Sequence, residues 1–236
     1  MSGRPEAPTA IVSGASRGLG FELAKALVER GWRLVVDARG SDALEAAARE
    51  LRAVGEVVAL PGDIADERHR RELVEAAGEP IDLLANNASV LGPSPQPALA
   101  DYALTELELV YRVNVLAPLA LAQVAFAHLS DGAAILNVTS DAGVEAYEGW
   151  GGYGSSKAAL DQLTAVLAVE HPDLRIYAVD PGDMRTEMHQ QAFPGEDISD
   201  RPPPSASVPG LLRLIEGRLP SGRYSAADLV AASSAR

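Results

Sequence analysis

A tyrosine and a lysine stand four residues apart at Tyr153 and Lys157, and Ser140 lies thirteen residues before the tyrosine. If the segment that holds the pair is helical, the phenol and the ammonium share one face. A free tyrosine titrates near ~10 and a nearby cation favours its charged form, so Lys157 is expected to lower the pKa of Tyr153. A phenol tuned in this way can donate or accept a proton, as interconversion of a carbonyl and an alcohol requires. The same spacing also occurs on ordinary solvated helix faces.

A glycine-rich turn near the start of the chain indicates what such a proton donor could serve. Thr9–Val12 reads as a short apolar strand, Ser13–Gly20 follows it, and the next segment has apolar residues at helical spacing. Strand, glycine turn and helix in this order are the context of a dinucleotide-binding fingerprint. Gly14 would allow the tight turn, Gly18 would admit a pyrophosphate, and Gly20 would let helix and strand pack closely. A turn that merely connects a strand to a helix is the alternative.

The glycines are spaced G-x-x-x-G-x-G, and this turn resembles the cofactor turn of the short-chain dehydrogenase/reductase family. The resemblance covers about residues 9 to 190 and rests on further motifs in the family's order. These are Asp63–Ile64 at the adenine, Asn86–Ala88 with Ser89 in place of the family's glycine, Asn114, Ser140, Tyr153 with Lys157, and Pro181–Thr186 at the nicotinamide. The resemblance implies a single Rossmann-like α/β domain and an oxidoreductase that uses a nicotinamide dinucleotide.

The resemblance also implies a role for each candidate catalytic residue. Tyr153 would exchange a proton with the substrate oxygen, and Lys157 would hold the nicotinamide ribose. Ser140 would hydrogen-bond the substrate oxygen. Asn114 would hold a water that links Lys157 to solvent, with packing inside a helix as the alternative. Cofactor contacts are expected from Gly14, Ser16, Arg17, Gly18, Leu19, Gly20, Arg39, Asp63, Ile64, Asn87, Ala88, Tyr153, Lys157, Pro181, Gly182, Met184 and Thr186.

The end of the second predicted strand bears on the choice between NADPH and NADH. NAD selectivity needs a carboxylate that accepts from the ribose hydroxyls, and in this family the acid usually stands at the position of Ala38. Arg39 follows, and its guanidinium suits a 2′-phosphate, as does that of Arg17. These features predict NADP(H) as the preferred cofactor. NAD(H) stays open, because a shift of the loop by one residue would turn the Asp37 carboxylate to the ribose.

Apolar strand-like runs alternate with helical segments, which predicts an α/β fold with a doubly wound parallel sheet of about seven strands and helices on both faces. The predicted strands are Ala10–Ser13, Arg33–Asp37, Val57–Pro61, Leu83–Asn86, Ala133–Val138, Ile176–Asp180 and Gly222–Ser225. The predicted helices include Phe21–Arg30, Ser41–Val54, Asp66–Ala77, Asp101–His128 and Gly154–His171.

One dinucleotide-binding and catalytic domain is expected over residues 9–226, between loose tails at 1–8 and 227–236. The proline-rich segment 193–209 should be mostly irregular. It follows directly after the segment expected to hold the nicotinamide, where this family places a loop that covers the substrate. A plain surface excursion is the alternative.

Composition excludes several other classes of protein. A formal net charge of −13 disfavours a nucleic-acid partner, because such sites need a basic face. Cysteine is absent, which excludes disulfides and thiol catalysis and is compatible with a reducing cytoplasm. The four histidines are scattered, so no metal site is expected. No uninterrupted apolar run reaches eighteen residues and the N-terminus lacks an apolar signal segment, so neither a membrane span nor secretion is predicted.

The C-terminal part departs from the family's pattern. Many members end in a long helix, a strand and a glycine-rich segment that builds tetramer contacts, whereas this chain offers Leu211–Gly217 and Gly222–Ser225. Tetramer formation through that edge is therefore in doubt. The helices that hold Asn114 and Tyr153 form the family's other interface. The second of them carries apolar residues that could serve it, namely Leu160, Leu163, Val166 and Leu167. A homodimer is the resulting hypothesis.

The leading hypothesis is an NADPH-dependent carbonyl reductase that acts on a small ketone, aldehyde or secondary alcohol. An NAD-dependent alcohol or sugar dehydrogenase on the same scaffold is the first alternative. A non-catalytic protein that senses the dinucleotide is the second, and retention of all four candidate catalytic residues argues against it. Trp150 and Phe193 favour an apolar or cyclic substrate. Asp141, Glu145 and Glu148 would favour a hydroxylated or cationic one, unless they are solvated residues at the rim.

Overall fold

Seven parallel strands form one sheet in the computed structural model, which describes residues 7–234. The strands are β1 (Thr9–Val12), β2 (Arg33–Ala38), β3 (Val57–Pro61), β4 (Ile81–Asn86), β5 (Leu129–Val138), β6 (Arg175–Asp180) and β7 (Gly222–Ser225). Their order across the sheet is β3-β2-β1-β4-β5-β6-β7, and all neighbouring pairs are parallel. The strand order reverses between β1 and β4, so a crevice opens at the carboxyl ends of these two strands.

Helices cover both faces of this sheet. They are α1 (Gly18–Val28), α2 (Ser41–Arg52), α3 (Glu67–Ala77), α4 (Leu104–Tyr111), α5 (Ala117–Ala125), α6 (Gly151–Glu170), α7 (Glu187–Ala192), α8 (Val208–Gly217) and α9 (Ala226–Ser234). Buried residues of α1, α2, α8 and α9 share one apolar core with the sheet. Buried residues of α3, α5 and α6 belong to a second core on the other side.

Alternation along the strands explains why both faces are covered. In β1, Ala10 and Val12 belong to the first core and Ile11 to the second, and all three are fully buried. Successive side chains of a strand point to opposite faces, so a strand that is apolar throughout needs helices on both sides. This layering brings the loops after the strands to one edge of the sheet.

The predicted fold class is confirmed, and each predicted strand is present. The bounds of β3 and β7 match the prediction, β1 begins one residue earlier, and β4 and β5 begin two and four residues earlier. The helix predicted from Gly154 begins instead at Gly151. Tyr153 therefore lies in the first turn of α6 rather than before it.

The helix predicted over Asp101–His128 is corrected. It is divided by a π-helical turn at Arg112–Leu116, which lies between α4 and α5 and contains the buried Asn114. A π turn inserts one residue into the helical repeat and often marks a functional position. The apolar spacing on either side stays helical, so the pattern of the sequence does not reveal the break.

The predicted C-terminal tail at 227–236 is also corrected, because α9 occupies most of it. Leu229 is only 7% exposed and belongs to the first apolar core. α8 comes so close that a Cβ on Gly210 would lie 2.5 Å from the Ala226 carbonyl oxygen. Residues 235–236 and residues 1–6 of the predicted N-terminal tail lie outside the described residues.

The segment expected to cover the substrate is largely irregular. Residues 193–203 contain no helix or strand, and a short 3₁₀ turn follows at Pro204–Ala206. α8 begins at Val208, inside the predicted loop. Its proline occupies one of the first two helical positions, where the missing N–H costs no hydrogen bond.

One helical run, Leu104–His128, is long and apolar enough to cross a membrane by length and composition alone. Charged residues interrupt it, so it holds no uninterrupted apolar run of eighteen residues, and the sequence did not predict it as a span. Half of its most apolar 18-residue window is buried inside the structure, and α5 supplies several residues to the second core. A core helix of this kind passes the same test as a membrane span.

Candidate active site

A cleft of about 1100 Å³ opens at the carboxyl ends of the strands. Ser140, Tyr153 and Lys157 line it together, although the serine follows β5 and the other two lie on α6. The predicted cofactor residues that line it are Gly14, Ser16, Arg17, Gly18, Leu19, Arg39, Asp63, Ile64, Asn87, Ala88, Pro181, Gly182, Met184 and Thr186. Gly20 and Asn114 are buried behind its wall.

The glycine turn leaves its backbone accessible to a ligand, because its glycines carry no side chains that would fill this space. Gly14 and Gly18 have φ angles of 68° and 60°, which favour glycine. A Cβ on Gly20 would lie 2.4 Å from the Gly14 carbonyl oxygen, so α1 can approach the turn only because this residue is glycine. No side chain caps α1. The N–H groups of its first turn therefore remain available to the phosphates of a dinucleotide.

The segment after β4 is tied to this turn by two side chains. Asn87 Nδ2 donates to the carbonyl oxygens of Ser13 and Gly14 at 2.9 and 3.1 Å. Ser13 Oγ accepts the N–H groups of Asn87 and Ala88 at 3.0 and 3.1 Å. Two motifs that are more than seventy residues apart in the chain thus form one unit beside the crevice.

Asp37 at the end of β2 supports the same turn from the other side. Its Oδ1 accepts the N–H of Gly14 at 2.8 Å, and its Oδ2 lies 3.0 Å from His69 Nε2. Only 1% of Asp37 is exposed. Both carboxylate oxygens are engaged inside the protein, so this geometry does not turn Asp37 to a ribose. The sequence analysis missed His69, whose position relative to Asp37 depends on packing of α3 against β2.

Tyr153 and Lys157 share one face of α6. The Nζ atom of Lys157 lies 5.4 Å from the centroid of the Tyr153 ring and donates to the carbonyl oxygen of Val138 at 2.8 Å. Trp150 packs edge-on against Tyr153, with ring centroids 5.8 Å apart. Val138 is the last residue of β5, so its bond to Lys157 fixes α6 relative to the strand that leads to Ser140.

Asn114 clamps the loop after β4 against α6. Its Oδ1 accepts the N–H of Val90 at 2.9 Å and the hydroxyl of Ser89 at 3.1 Å. Its Nδ2 donates to the Val90 carbonyl oxygen at 2.9 Å and to Ser156 Oγ at 3.0 Å. The amide is saturated by protein partners, so the side chain has no donor left for a water. These contacts support the packing alternative for the side chain, and a water held by Asn114 stays a prediction.

Comparison with known proteins decides the family. Residues 8–197 match the family model described as short chain dehydrogenase. The chain belongs to the short-chain dehydrogenase family. It is accordingly an oxidoreductase of the kind that uses NAD or NADP, built on the Rossmann-like sheet described above.

Relatives of this short-chain dehydrogenase include reductases. The 3-oxoacyl-[acyl-carrier-protein] reductase of rhamnolipids biosynthesis from Pseudomonas aeruginosa is 32% identical over 235 residues, which cover 94% of this chain and 86% of that protein. L-xylulose reductase from Bos taurus is 32% identical over 94% of this chain and 84% of its own. A short chain dehydrogenase from Escherichia coli, solved as a complex with NADPH, has a TM-score of 0.84 and 26% identity over 93% of this chain and 96% of that one.

Burial dominates the electrostatics of Tyr153 in this short-chain dehydrogenase. Burial raises the pKa of Tyr153, and the negative charges of Asp180 and Asp141 raise it further. Hydrogen bonds with Ser89 and Ser140 act in the opposite direction and lower the pKa. The expected lowering of the Tyr153 pKa by Lys157 is therefore corrected: the pKa is raised, and Lys157 is not among the groups that shift it. Added positive charge beside the ring would be needed to bring the phenol into its working range.

Burial also acts on the second catalytic candidate. It lowers the pKa of Lys157 from 10.5 to about 8, although the charge of Asp161 raises it. Lys157 is 2% exposed, and its ammonium donates to Val138. A lysine ammonium carries three donors. The chain thus holds a buried cation with donors that a polar ligand in the cleft can satisfy.

The hydroxyl of Ser140 is engaged by a neighbouring acid. Ser140 Oγ donates to Asp141 Oδ1 at 2.8 Å and accepts the N–H of Ala142 at 3.2 Å. Asp141 Oδ2 lies 3.1 Å from the hydroxyl of Tyr147, which also lies 2.8 Å from Glu145 Oε2. Asp141 and Glu145 are exposed, which agrees with the alternative that they are solvated residues at the rim. The sequence analysis did not predict that Asp141 also contacts the catalytic candidate Ser140.

Arg223 is a contact of the site that sequence reasoning missed. From β7, its Nη2 donates to the Ser140 carbonyl oxygen at 3.0 Å and lies 3.5 Å from Asp180 Oδ2. Its Nε donates to Asp161 Oδ2 at 3.0 Å. Arg223 therefore holds the main chain of Ser140 and partly neutralises two acids near the catalytic groups. Only the pairing of β7 with β6 brings it there, and no motif marks it.

The cleft fits a dinucleotide on independent grounds. Thr139 Oγ1 is buried in the cleft wall and has no partner among the described residues, so a ligand with a polar group would satisfy it. The cradle of Gly14 and Gly18 and the uncapped α1 suit a pyrophosphate. Within residues 7–234, no group of three or more histidine, aspartate or glutamate side chains is arranged to hold a metal ion.

Replacement of the buried lysine is expected to change how stability depends on pH. In the folded parent, the cost of a charged Lys157 is fully present below pH 8. It disappears as the pH rises from about 8 to 10.5, where only the unfolded chain still binds the proton. The difference between the pKa of Lys157 in the folded and in the unfolded chain corresponds to about 3 kcal/mol in the free energy of unfolding. Denaturant unfolding of the cofactor-free protein should show the parent gaining about that much stability relative to Lys157→Met over this window.

The matched control is Lys25→Met, which replaces an exposed lysine on α1 whose pKa is raised by its hydrogen bond to Glu50. The parent should show no comparable gain over this variant as the pH rises. A stability difference between the parent and Lys157→Met that stays constant from pH 7 to pH 11 would contradict the proposed cost of burial.

Proposed function

We propose that this chain is an NADPH-dependent carbonyl reductase that interconverts a small ketone or aldehyde with the corresponding alcohol. The observation that carries the proposal is the convergence of Tyr153, Lys157 and Ser140 in one cleft with the glycine turn and two arginines. A phenol beside a buried cation supplies a proton at the substrate oxygen. A glycine turn at a helix N-terminus holds the cofactor phosphates.

Three features support NADPH over NADH. Asp37 lines the cleft, but both of its carboxylate oxygens are engaged by Gly14 and His69 rather than directed to a ribose. Arg17 and Arg39 line the cleft, and a guanidinium suits a phosphate better than a bare hydroxyl. Solved relatives from Escherichia coli and Shigella flexneri are complexes with NADPH and NADP. Arg17 pairs with the Glu187 carboxylate on α7. A phosphate would offer Arg17 a second negatively charged partner.

An NAD-dependent alcohol or sugar dehydrogenase remains the alternative on this scaffold. It would require Asp37 to release the N–H of Gly14 and turn toward the cofactor. That movement would leave the partly buried N–H of Gly14 without its acceptor and would break the contact of Asp37 with the buried His69. The contacts of Asp37 therefore weigh against this reading.

The residues of the chain supply the proton chemistry. In reduction, Tyr153 donates its phenol proton to the substrate oxygen, and in oxidation it takes the proton back. Lys157 offers donors to the hydroxyls of the nicotinamide ribose while Val138 holds its position. Ser140 lies beside the same substrate oxygen and stabilises charge there once its hydroxyl turns from Asp141. The bound dinucleotide supplies or accepts the hydride.

The substrate end of the cleft supports a compact apolar compound. Tyr153 belongs to a small apolar cluster with Leu91, and Trp150 and Met188 pack against it. Phe193 adds a second ring, 5.9 Å from that of Trp150 between centroids. The segment 193–209 contributes Phe193 and Pro204 to the lining, which supports its proposed role as a cover over the substrate.

We include a homodimer in the proposal, but the residues expected to form its interface differ from those named from the sequence. Leu160 and Leu167 of α6 are buried in the core and cannot serve an interface. The exposed apolar side chains are instead Leu104, Leu109, Leu116, Val166 and Val169, which lie on α4, on the π turn and on α6. α4 and α6 are in contact. Their exposed apolar side chains support an interface between two copies through these helices.

Removal of the phenol hydroxyl should abolish turnover. Tyr153→Phe keeps the ring against Trp150 but removes the transferable proton, so kcat for reduction of a carbonyl compound should fall by about 10²–10⁴-fold. NADPH binding, followed by quenching of tryptophan fluorescence, should be retained. Tyr224→Phe is the control, because that hydroxyl donates to the Pro220 carbonyl oxygen and neither residue lines the cleft. Turnover of Tyr153→Phe within tenfold of the parent would contradict the assignment.

Cofactor preference should depend on Arg39. Titration of the parent with NADPH and NADH side by side should show tighter NADPH. Arg39→Ala should weaken NADPH by about ten- to a hundredfold, because a charge-assisted bond to phosphate is lost, and should leave NADH unchanged. Arg68→Ala, an exposed arginine on α3 paired only within its helix, is the control. An unchanged ratio of NADPH to NADH affinity in Arg39→Ala would refute the phosphate role.

A single charge placed in the proposed interface should separate the two copies. Val169 is 81% exposed on α6 in the single chain, so Val169→Glu should change the stability of the monomer little. In the dimer, the same substitution would bury a charge in an apolar contact. Light scattering at micromolar concentration should give a dimer for the parent and a monomer for this variant. Val54→Glu, an exposed valine after α2, should stay dimeric. A monomeric parent would contradict the proposed dimer.

A further inference from the structure

A buried aspartate and a buried histidine form a pair at the end of the cleft that holds the glycine turn. Asp37 is 1% exposed and His69 is 5% exposed. His69 Nε2 lies 3.0 Å from Asp37 Oδ2. The proposed proton chemistry uses neither residue. Ionisable side chains are rarely buried, because the loss of water is costly even when they are paired, so the pair indicates a role beyond packing.

The main chain and the side chain of Asp37 are held by different partners. The carbonyl oxygen of Asp37 accepts the N–H of Ala15 at 2.9 Å, and Oδ1 accepts the N–H of Gly14 at 2.8 Å. Among the described residues, His69 is the hydrogen-bond partner of Oδ2. An ionised carboxylate only accepts hydrogen bonds, so the Nε2–H of His69 donates to it. The direction of the Asp37 side chain therefore depends on the histidine, whereas its main chain does not.

The imidazole of His69 has little room to move away from Asp37. His69 lies in the first turn of α3, and a Cβ on Gly62 would lie 2.3 Å from its Nδ1 atom. The ring thus lies between the backbone of Gly62 and the carboxylate. Gly62 follows β3 and donates its N–H to the Ala38 carbonyl oxygen at 3.1 Å. The ends of β2 and β3 and the start of α3 therefore hold the imidazole in one place.

Asp37 lies where its carboxylate, if released, would meet the cofactor. Asp37 lines the cleft together with Arg39 and Gly62, whereas His69 lies behind the cleft wall. In dinucleotide-binding folds, an acid that accepts from the ribose hydroxyls selects NAD, and its negative charge repels a 2′-phosphate. Without His69, Oδ2 would be a buried charge that lacks a donor, which is costly. The donors open to it would then be water or ribose hydroxyls in the cleft.

We propose that His69 is a positioning residue that sets the cofactor preference, because it holds the Asp37 carboxylate on the glycine turn and away from the ribose. With the imidazole in place, Arg39 meets the 2′-phosphate of NADPH without a competing charge from Asp37. Without it, Asp37 turns toward the ribose, favours NADH and opposes the phosphate. The inference rests on the proposed function for the NADPH preference of the parent protein, whereas the contacts of the pair stand without it.

The test measures the dissociation constants of NADPH and NADH by calorimetry, without any substrate. His69→Leu and His69→Ala both remove the donor. The first keeps most of the side-chain volume, and the second cannot crowd Gly62. In each, the ratio of NADPH to NADH affinity should fall by about ten- to a hundredfold, the size expected when a hydrogen bond to a charged group is exchanged. His69→Gln can place an amide N–H near the position of Nε2 and should keep the ratio of the parent.

His128→Leu is the matched control. That histidine also pairs with a carboxylate, at 2.8 Å from Glu79 Oε1, and neither residue lines the cleft. Both dissociation constants should match those of the parent. Asp37→Asn, alone and combined with His69→Leu, tests whether the histidine acts through the carboxylate. An asparagine can still accept the Gly14 N–H but carries no charge, so loss of His69 in this background should change the ratio little. A shift as large as in His69→Leu alone would contradict action through Asp37.

A merely structural histidine would lower the melting temperature and weaken the binding of both dinucleotides equally. An unchanged ratio in folded His69→Leu and His69→Ala would therefore overturn the proposal, as would a parent that prefers NADH with His69 in place. A parent that prefers NADPH and loses this preference in both variants, but reduces no carbonyl compound, would defeat the carbonyl reductase proposal and support the role of His69. An active NADPH-dependent reductase with an unchanged ratio would do the reverse.

Discussion

Lys157 is an ammonium group placed where almost no water reaches it, and the arrangement of the site depends on how that charge is kept there. An unpaired buried charge is costly. The fold meets the cost with the Val138 carbonyl oxygen at 2.8 Å and with Asp161, one turn further along α6. The same bond to Val138 sets the distance between α6 and β5. The bond between Lys157 and Val138 therefore also determines how far Tyr153 on the helix lies from Ser140 after the strand.

Lys157 belongs to a longer network of charged groups, to which Asp161 connects it. Asp161 accepts from Arg223, which also holds the Ser140 main chain and lies near Asp180. A strand near the end of the chain therefore fixes a catalytic candidate more than eighty residues earlier. Through Asp180, it also acts on the phenol, because that carboxylate raises the pKa of Tyr153. The acidity of the proton donor is thus set by burial and by groups from the loops after β4 and β5 and from the end of β6, which the tyrosine–lysine spacing does not reveal.

Hydrogen bonds of small polar side chains connect the carboxyl ends of neighbouring strands. Asn87 and Ser13 join the loop after β4 to the glycine turn, and Asp37 holds the turn from β2. Asn86 and Asn137 form a buried hydrogen bond between β4 and β5 at 2.7 Å. Buried polar networks of this kind are stable only when their members are satisfied. Their saturation explains why the cleft is preformed, and why Asn114 serves the framework with its side chain.

Local periodicity and motif spacing determined much of this protein. The bounds of β3 and β7, the shared face of Tyr153 and Lys157 and the glycine turn depend on residues close in sequence, where strand and helix periods act directly. Tertiary structure decided the π turn at Asn114, the docking of α9 and the partners of Asp37. It also decided that Arg223 holds the Ser140 main chain and that the Asp180 carboxylate acts on the pKa of Tyr153. These outcomes depend on which loops the sheet brings to one edge, and on burial that shifts pKa values, and neither is encoded in the spacing of a single motif.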